Sequence, residues 1–157
     1  MTLEDEVGVL RRIPLFAKIE PSKLKLLAFT SEHVVFSKGQ ELFHQGDPGD
    51  AAYVIIKGSA DVLVDAPEGQ ISVAKVERNA FVGDIAILCD VPRTATVKAL
   101  SELETLKILK EQFLELIAGF PEIAVEIMRV LADRLSKTTA ELTAARNRLH
   151  ELGDKST

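Results

Sequence analysis

The hydrophobic positions change period twice along the chain. From Leu3 to Arg12, apolar Leu3, Val7 and Leu10 recur among charged residues at the spacing of one helix face. Pro14 stops that helix, because the residue before a proline is pushed out of the α region. Leu15 and Phe16 then offer two large apolar side chains that anchor the segment on the barrel. Pro21-Ser22 opens a second short helix, with Leu24, Leu26, Leu27 and Phe29 as its apolar surface.

From about His33 the period becomes two. His33–Phe36, Glu41–His44, Ala52–Ile56, Ala60–Val64, Ile71–Val76, Thr94–Ala99 and Glu104–Ile108 are short runs rich in β-branched residues. Turn signals separate them: Lys38-Gly39, Gly46-Asp47-Pro48-Gly49, Lys57-Gly58, Pro67-Glu68-Gly69 and Arg78-Asn79. Seven or eight strands at this spacing predict an antiparallel sandwich or barrel, and a double-sheet β jelly roll meets the description. The fold class is mainly β with flanking helices.

Period 3.6 returns at Lys110. Glu111–Gly119 reads as one helix, broken at Gly119-Phe120, and Pro121 starts a long one expected to reach about Leu152. Leu131, Leu135, Thr138, Leu142, Ala145, Leu149 and Leu152 are spaced as a heptad seam flanked by Arg, Lys and Glu. About 30 residues of helix run roughly 45 Å at 1.5 Å per residue, more than the adjoining barrel covers. A parallel two-helix homodimer through 121–152 is therefore expected. The chain divides into an N-terminal helical segment (1–30), a jelly roll (31–109), C-terminal helices (110–152) and a polar tail (153–157).

Composition narrows the function. A chain of 157 residues suits one domain with a sizeable core. The net charge of −5 argues against gripping a nucleic-acid backbone over a broad face. No run of 18 apolar residues is present, so no membrane span is expected. The acidic start, Met-Thr-Leu-Glu-Asp-Glu-Val, is unlike a secretory signal, and the single cysteine fits a reducing, cytoplasmic setting. Cys89 itself reads as a buried or half-buried structural residue. No Ser/His/Asp set, metal-ligand cluster or P-loop occurs, so neither an enzyme nor a cofactor or metal is expected. Asp47, Asp50 and Asp61 read as solvated carboxylates.

The chemistry concentrates in residues 83–97, Gly-Asp-Ile-Ala-Ile-Leu-Cys-Asp-Val-Pro-Arg-Thr-Ala-Thr-Val. A glycine and a carboxylate open it, a short apolar turn comes next, and Arg93 stands nine residues after Asp84. Free N–H groups at a helical turn favour phosphate, and a guanidinium fork adds charge-assisted hydrogen bonds. A carboxylate would repel phosphate, so Asp84 should accept from a neutral donor such as a ribose hydroxyl. The implied ligand is a sugar phosphate, most simply a nucleotide. Taken alone, Arg93 reads rather as one half of a surface ion pair with Asp90 or a nearby Glu.

Gly83–Leu88 with Pro92–Val97 resembles the phosphate-binding cassette of the cyclic nucleotide-binding domain. Gly39–Gly58 resembles the first half of that domain's jelly roll, in the right order and at the right spacing. The resemblance covers roughly residues 15–150 and is nearest to the sensor domain of catabolite activator-type regulators. It implies a cyclic nucleotide as ligand, cAMP favoured over cGMP, with Gly83, Asp84, Ile85, Ala86, Arg93, Thr94 and Ala95 around it. Arg93 would neutralise the phosphate, and Thr94 would add a hydroxyl or N–H to the phosphate or reach the purine. The family usually has glutamate at Asp84, bonding the ribose 2′-hydroxyl; aspartate keeps the charge and loses one methylene of reach. It usually has glycine at Asn79, and asparagine tolerates the same left-handed backbone. An ungapped count from Pro121-Glu122-Ile123 carries the family's base-contacting pair onto Thr138 and Thr139, one from each subunit. Val62, Val64, Ile71 and Val73 are candidates for the pocket floor. The reading is a sensor that moves a dimeric helix when ligand binds, toward an unknown output protein. Alternatives are a docking module with a ligand-free pocket, which Asp84 keeps open, and a transcription regulator fragment lacking its DNA-binding domain.

Overall fold

A computed structural model describes residues 2–155. Helix α1 (Leu3–Arg11) begins at Thr2 through a reciprocal cap: Asp5 N–H donates to Thr2 Oγ1 at 3.2 Å and Thr2 N–H to Asp5 Oδ2 at 3.0 Å. Helix α2 (Pro21–Thr30) starts on its proline. Eight strands come next: β1 (Glu32–Phe36), β2 (Glu41–Phe43), β3 (Ala51–Lys57), β4 (Ala60–Ala66), β5 (Gly69–Val76), β6 (Phe81–Val82), β7 (Thr96–Ala99) and β8 (Leu103–Leu109). A short helix, α3 (Asp84–Cys89), lies between β6 and β7, and α4 (Lys110–Gly119) and α5 (Pro121–Lys155) close the chain.

The strands form two antiparallel four-stranded sheets, ordered β1-β8-β3-β6 and β2-β7-β4-β5. The alternation of β3 divides its side chains between two cores. Ala52 and Val54 join the cluster under the helices, with Leu10, Phe16, Leu24, Phe113 and Ile123. Ala51, Tyr53 and Ile55 join the cluster between the sheets, with Phe36, Val97 and Leu103. Both faces of β3 are thus covered, which is why its sequence is almost continuously apolar.

Three phenylalanines bind the helical layer to the sheet. Phe16, Phe81 and Phe113 meet pairwise, with ring centroids 5.3–6.1 Å apart. Leu15 and Phe16 are fully buried, so the N-terminal segment is anchored as its sequence implies.

Two expectations are corrected, and one of the eight strands is not among the seven runs named from the sequence. On α2, Leu24, Leu27 and Ala28 are the inward residues, while Leu26 and Phe29 point outward, Phe29 being 78% exposed. The two-residue strand β6 is too short to produce an alternation signal. Helix α5 continues beyond Leu152 to Lys155, so most of the expected tail is helical; positions 156–157 lie outside the described residues.

Candidate functional site

The segment from β6 to β7 crosses from one sheet to the other and carries the candidate residues. Gly83 caps α3 with φ +89°, a left-handed conformation suited to glycine. A Cβ there would lie 2.6 Å from Arg93 Nη1 and 3.2 Å from the Ala51 carbonyl oxygen, so glycine also admits the guanidinium. At the other end of α3, Asp90 takes φ +51° and pairs with Lys110 at 3.0 Å. That partner leaves Arg93 to turn inward.

Arg93 is only 3% exposed. Its Nη1 donates to the carbonyl of Gly83 at 3.0 Å and its Nη2 to that of Ala51. The guanidinium lies over the Phe43 ring, 3.9 Å from the centroid, a cation–π contact. Asp50 Oδ1 stands 3.5 Å from Nη2. Among the described residues, Arg93 Nε is the one buried side-chain polar atom without a hydrogen-bond partner. Burial pulls the Arg93 pKa down from its ordinary value, with Asp50 acting the other way. Arginine still stays charged at neutral pH, so the fold holds a nearly dehydrated cation whose Nε–H is unused and whose two bonded nitrogens each keep a further N–H.

The upstream turn holds this arginine by its backbone. Gly46 N–H donates to the Arg93 carbonyl at 2.9 Å, and Arg93 N–H to the Asp47 carbonyl at 2.8 Å. Gly49 packs so closely on α3 that a Cβ would fall 2.5 Å from Ala86 Cβ. The two resembling motifs are therefore one unit in space. Gln45 N–H donates to buried Thr96 Oγ1 at 2.8 Å, and His44 Nδ1 meets Glu41 Oε2 at 2.7 Å.

The Glu41 carboxylate raises the His44 pKa, with Asp65 and Asp47 adding to it. A raised folded-state value means the pair stabilises the fold below the ordinary histidine pKa of about 6.5. That contribution is lost as pH rises through the shifted midpoint. The His44 ring protons are expected to titrate above 6.5 by NMR, and Glu41→Gln to return the midpoint toward it; an unmoved midpoint would refute the pairing.

Asp84 is 4% exposed, and its Oδ2 accepts from Arg134 Nη1 of α5 at 3.0 Å. Arg134 is the partner of Asp84 that the sequence reading missed. It lies one turn before Thr138, hence on the same side of α5. Asp50, read as solvated, has an exposed side chain but serves as the nearest counter-charge to Arg93.

A cavity of about 170 Å³ brings most candidates together: Gly83, Asp84, Ile85, Ala86, Arg93, Thr94 and Ala95, with Phe43, Phe81 and Val82 beside them. Val62 and Val97 line it, whereas Val73 does not. Val73 is 57% exposed on β5, an edge strand, and Ile71 beside it is exposed as well. Thr138 and Thr139 are exposed on α5 and line no part of the cavity within one chain. Cys89 corrects another expectation, being exposed at the end of α3. Larger cavities of about 290 and 390 Å³ lie among the helices, and neither has a buried charged side chain in its wall. Among the described residues no group of His, Cys, Asp and Glu is disposed to hold a metal, and no helix is long and apolar enough to cross a membrane.

Known proteins resemble this chain in sequence and in fold. The profile of the cyclic nucleotide-binding domain matches residues 33–120. A CRP-like cAMP-activated global transcriptional regulator of Mycobacterium tuberculosis is 30% identical over 135 residues, 85% of this chain and 60% of that protein. A cAMP-dependent protein kinase regulatory subunit of Mucor circinelloides is 36% identical over 114 residues, 73% of this chain and 27% of that subunit. The chain thus spans less than two thirds of either relative. The N-terminal domain of a Streptomyces coelicolor transcriptional regulator superposes with a TM-score of 0.70 at 36% identity, covering 83% of this chain and 94% of that one. A two-sheet fold, a cassette closed around a buried arginine, and a profile spanning more than half the sequence agree: the chain belongs to the cyclic nucleotide-binding domain family.

Proposed function

We propose that this domain is a regulatory sensor that binds a cyclic nucleotide, cAMP in preference to cGMP, and transmits occupancy through α5. The observation that carries the reading is Arg93: a buried cation with an unpartnered Nε on a cavity that also holds Asp84. An anionic phosphate supplies what such a cation lacks, and Asp84 accepts a ribose hydroxyl next to it. The cAMP-activated regulator and the cAMP-dependent kinase subunit among the relatives support the choice of base.

The cavity of about 170 Å³ is smaller than the roughly 300–1,000 Å³ usual for ligand sites. Entry of a nucleotide therefore calls for a wider cavity, and the Asp84–Arg134 pair connects its α3 wall to α5. Occupancy and helix position are coupled in this reading, and ligand shifts the balance between two arrangements. The exposed heptad leucines of α5 support a homodimer, with Thr138 and Thr139 reaching the base across the subunits.

Calorimetric titration with both nucleotides tests the proposal. Heat with cAMP, weaker heat with cGMP and a raised melting temperature are expected, because a ligand that binds only the folded state stabilises it. Absence of heat and of any thermal shift with either nucleotide would leave the docking-module reading in its place.

A further inference from the structure

Successive side chains of a strand point to opposite faces, so Leu42 and Phe43 of β2 are not expected in one core. They share one all the same. Leu42 is buried in the cluster between the sheets, and Phe43 packs on that cluster, its ring stacked on Tyr53 with centroids 6.1 Å apart. The cause is an irregular register. Glu41 pairs with Lys98 and Phe43 with Val97, so two steps along β2 match one along β7. A bulge of this kind re-aims a side chain. It turns Phe43 toward Arg93, whose guanidinium lies over the ring on the wall of the cavity.

We infer that Phe43 is a positioning residue for Arg93: the ring fixes the plane of the guanidinium and thereby the direction of its unused N–H groups. The inference rests on the cyclic-nucleotide reading above and adds the residue that orients its central cation. Two hydrogen bonds, to the carbonyls of Gly83 and Ala51, hold two points of the fork. Two points define an axis, about which a planar group can still rock. A flat ring whose centroid lies 3.9 Å from Cζ stops that motion.

The ring is itself supported. Tyr53 backs Phe43, and Phe36 meets Tyr53 edge-on at 5.8 Å. On the side of Gly83 a Cβ would stand only 3.3 Å from Phe43 Cε1. Phe43 therefore has little room to leave the guanidinium. A leucine would fill part of the same space, but it has neither a flat face nor the negative π-cloud that attracts a cation.

Calorimetric titration of the full chain with cAMP, together with 15N relaxation of the Arg93 Nε–H, tests this role. Phe43→Leu is expected to raise Kd roughly tenfold, the fold-change to which a desolvated cation–π contact converts. It is also expected to lower the Nε–H order parameter toward the flexible range below about 0.6. Phe43→Tyr keeps the flat face and is expected to restore the order parameter and all but about threefold of the affinity. In an Arg93→Lys background no plane remains to be fixed, and Phe43→Leu is expected to change Kd by less than about twofold. Phe43→Met, which keeps more of the volume, takes the place of Phe43→Leu should that variant fail to fold. An order parameter that stays rigid in the folded Leu or Met variant would overturn the positioning role. So would a loss of affinity of the same size in the Arg93→Lys background, which would mark Phe43 as a contact of the ligand itself. A native chain that binds neither cyclic nucleotide would overturn the sensor reading, while the order parameters would still decide what holds Arg93.

Discussion

Arg93→Ala is expected to weaken cyclic-nucleotide binding by roughly a hundredfold or more, as two charge-assisted hydrogen bonds at about 1.5–3 kcal/mol each are lost. Arg93→Lys is expected to recover little of this. Lysine restores the charge but has neither the planar fork nor the flat face that lies on Phe43. Stability should fall as well, by less than affinity, because two contributions to it oppose each other. Deleting the guanidinium leaves the carbonyls of Gly83 and Ala51 without their donor, which costs about 1–3 kcal/mol per group if they stay dry. It also removes a cation that burial disfavours, which offsets part of that cost. Calorimetric titration beside thermal melting separates the two effects. A Kd within threefold of the native value in a folded Arg93→Ala variant would sink the phosphate assignment.

The dependence on Arg93 was legible in the sequence only in part. Its position in a cassette-like motif was readable, but its partners were not. The groups that hold the guanidinium are backbone carbonyls of Gly83 and Ala51, and every residue carries a carbonyl. Topology decides which ones converge. Arg134 was hidden differently, as one more arginine on an amphipathic helix, distinguished only by facing Asp84 after folding. Its one readable signal was the four-residue spacing to Thr138. The jelly roll was legible because most of its strands cover a core on at least one face. Val73 shows the limit of that rule, since β5 keeps its alternation while lying open at the sheet edge. Period two says that faces differ, without saying whether either one is covered. Leu26 and Phe29 show the same limit on α2, where four apolar residues were available and only part of the face is buried.

Phe113→Ala is expected to produce the largest loss of stability, about 3–5 kcal/mol for a fully buried phenylalanine cut back to alanine. For a chain of this size that lowers Tm by roughly 6–20 °C, at about 2–4 °C per kcal/mol, measured by differential scanning calorimetry. The ring is positioned to have a functional effect too. Phe113 belongs to α4 and packs on Phe81, whose strand leads through Val82 into Gly83 and the cassette. It also meets Phe16 from the N-terminal segment, so one ring joins the flanking helices to the site. A cavity there loosens Phe81 before it affects the second sheet, whose residues belong to the separate core between the sheets. Nucleotide affinity is accordingly expected to fall several-fold in Phe113→Ala, while Phe113→Leu, which leaves less empty volume, keeps most of both properties. Saturating cAMP should recover part of the lost Tm, because binding draws on the folded population. A variant with Tm within about 2 °C of the native chain, a shift about 1 kcal/mol would produce, would show that the three rings are not the joint between helices and sheet.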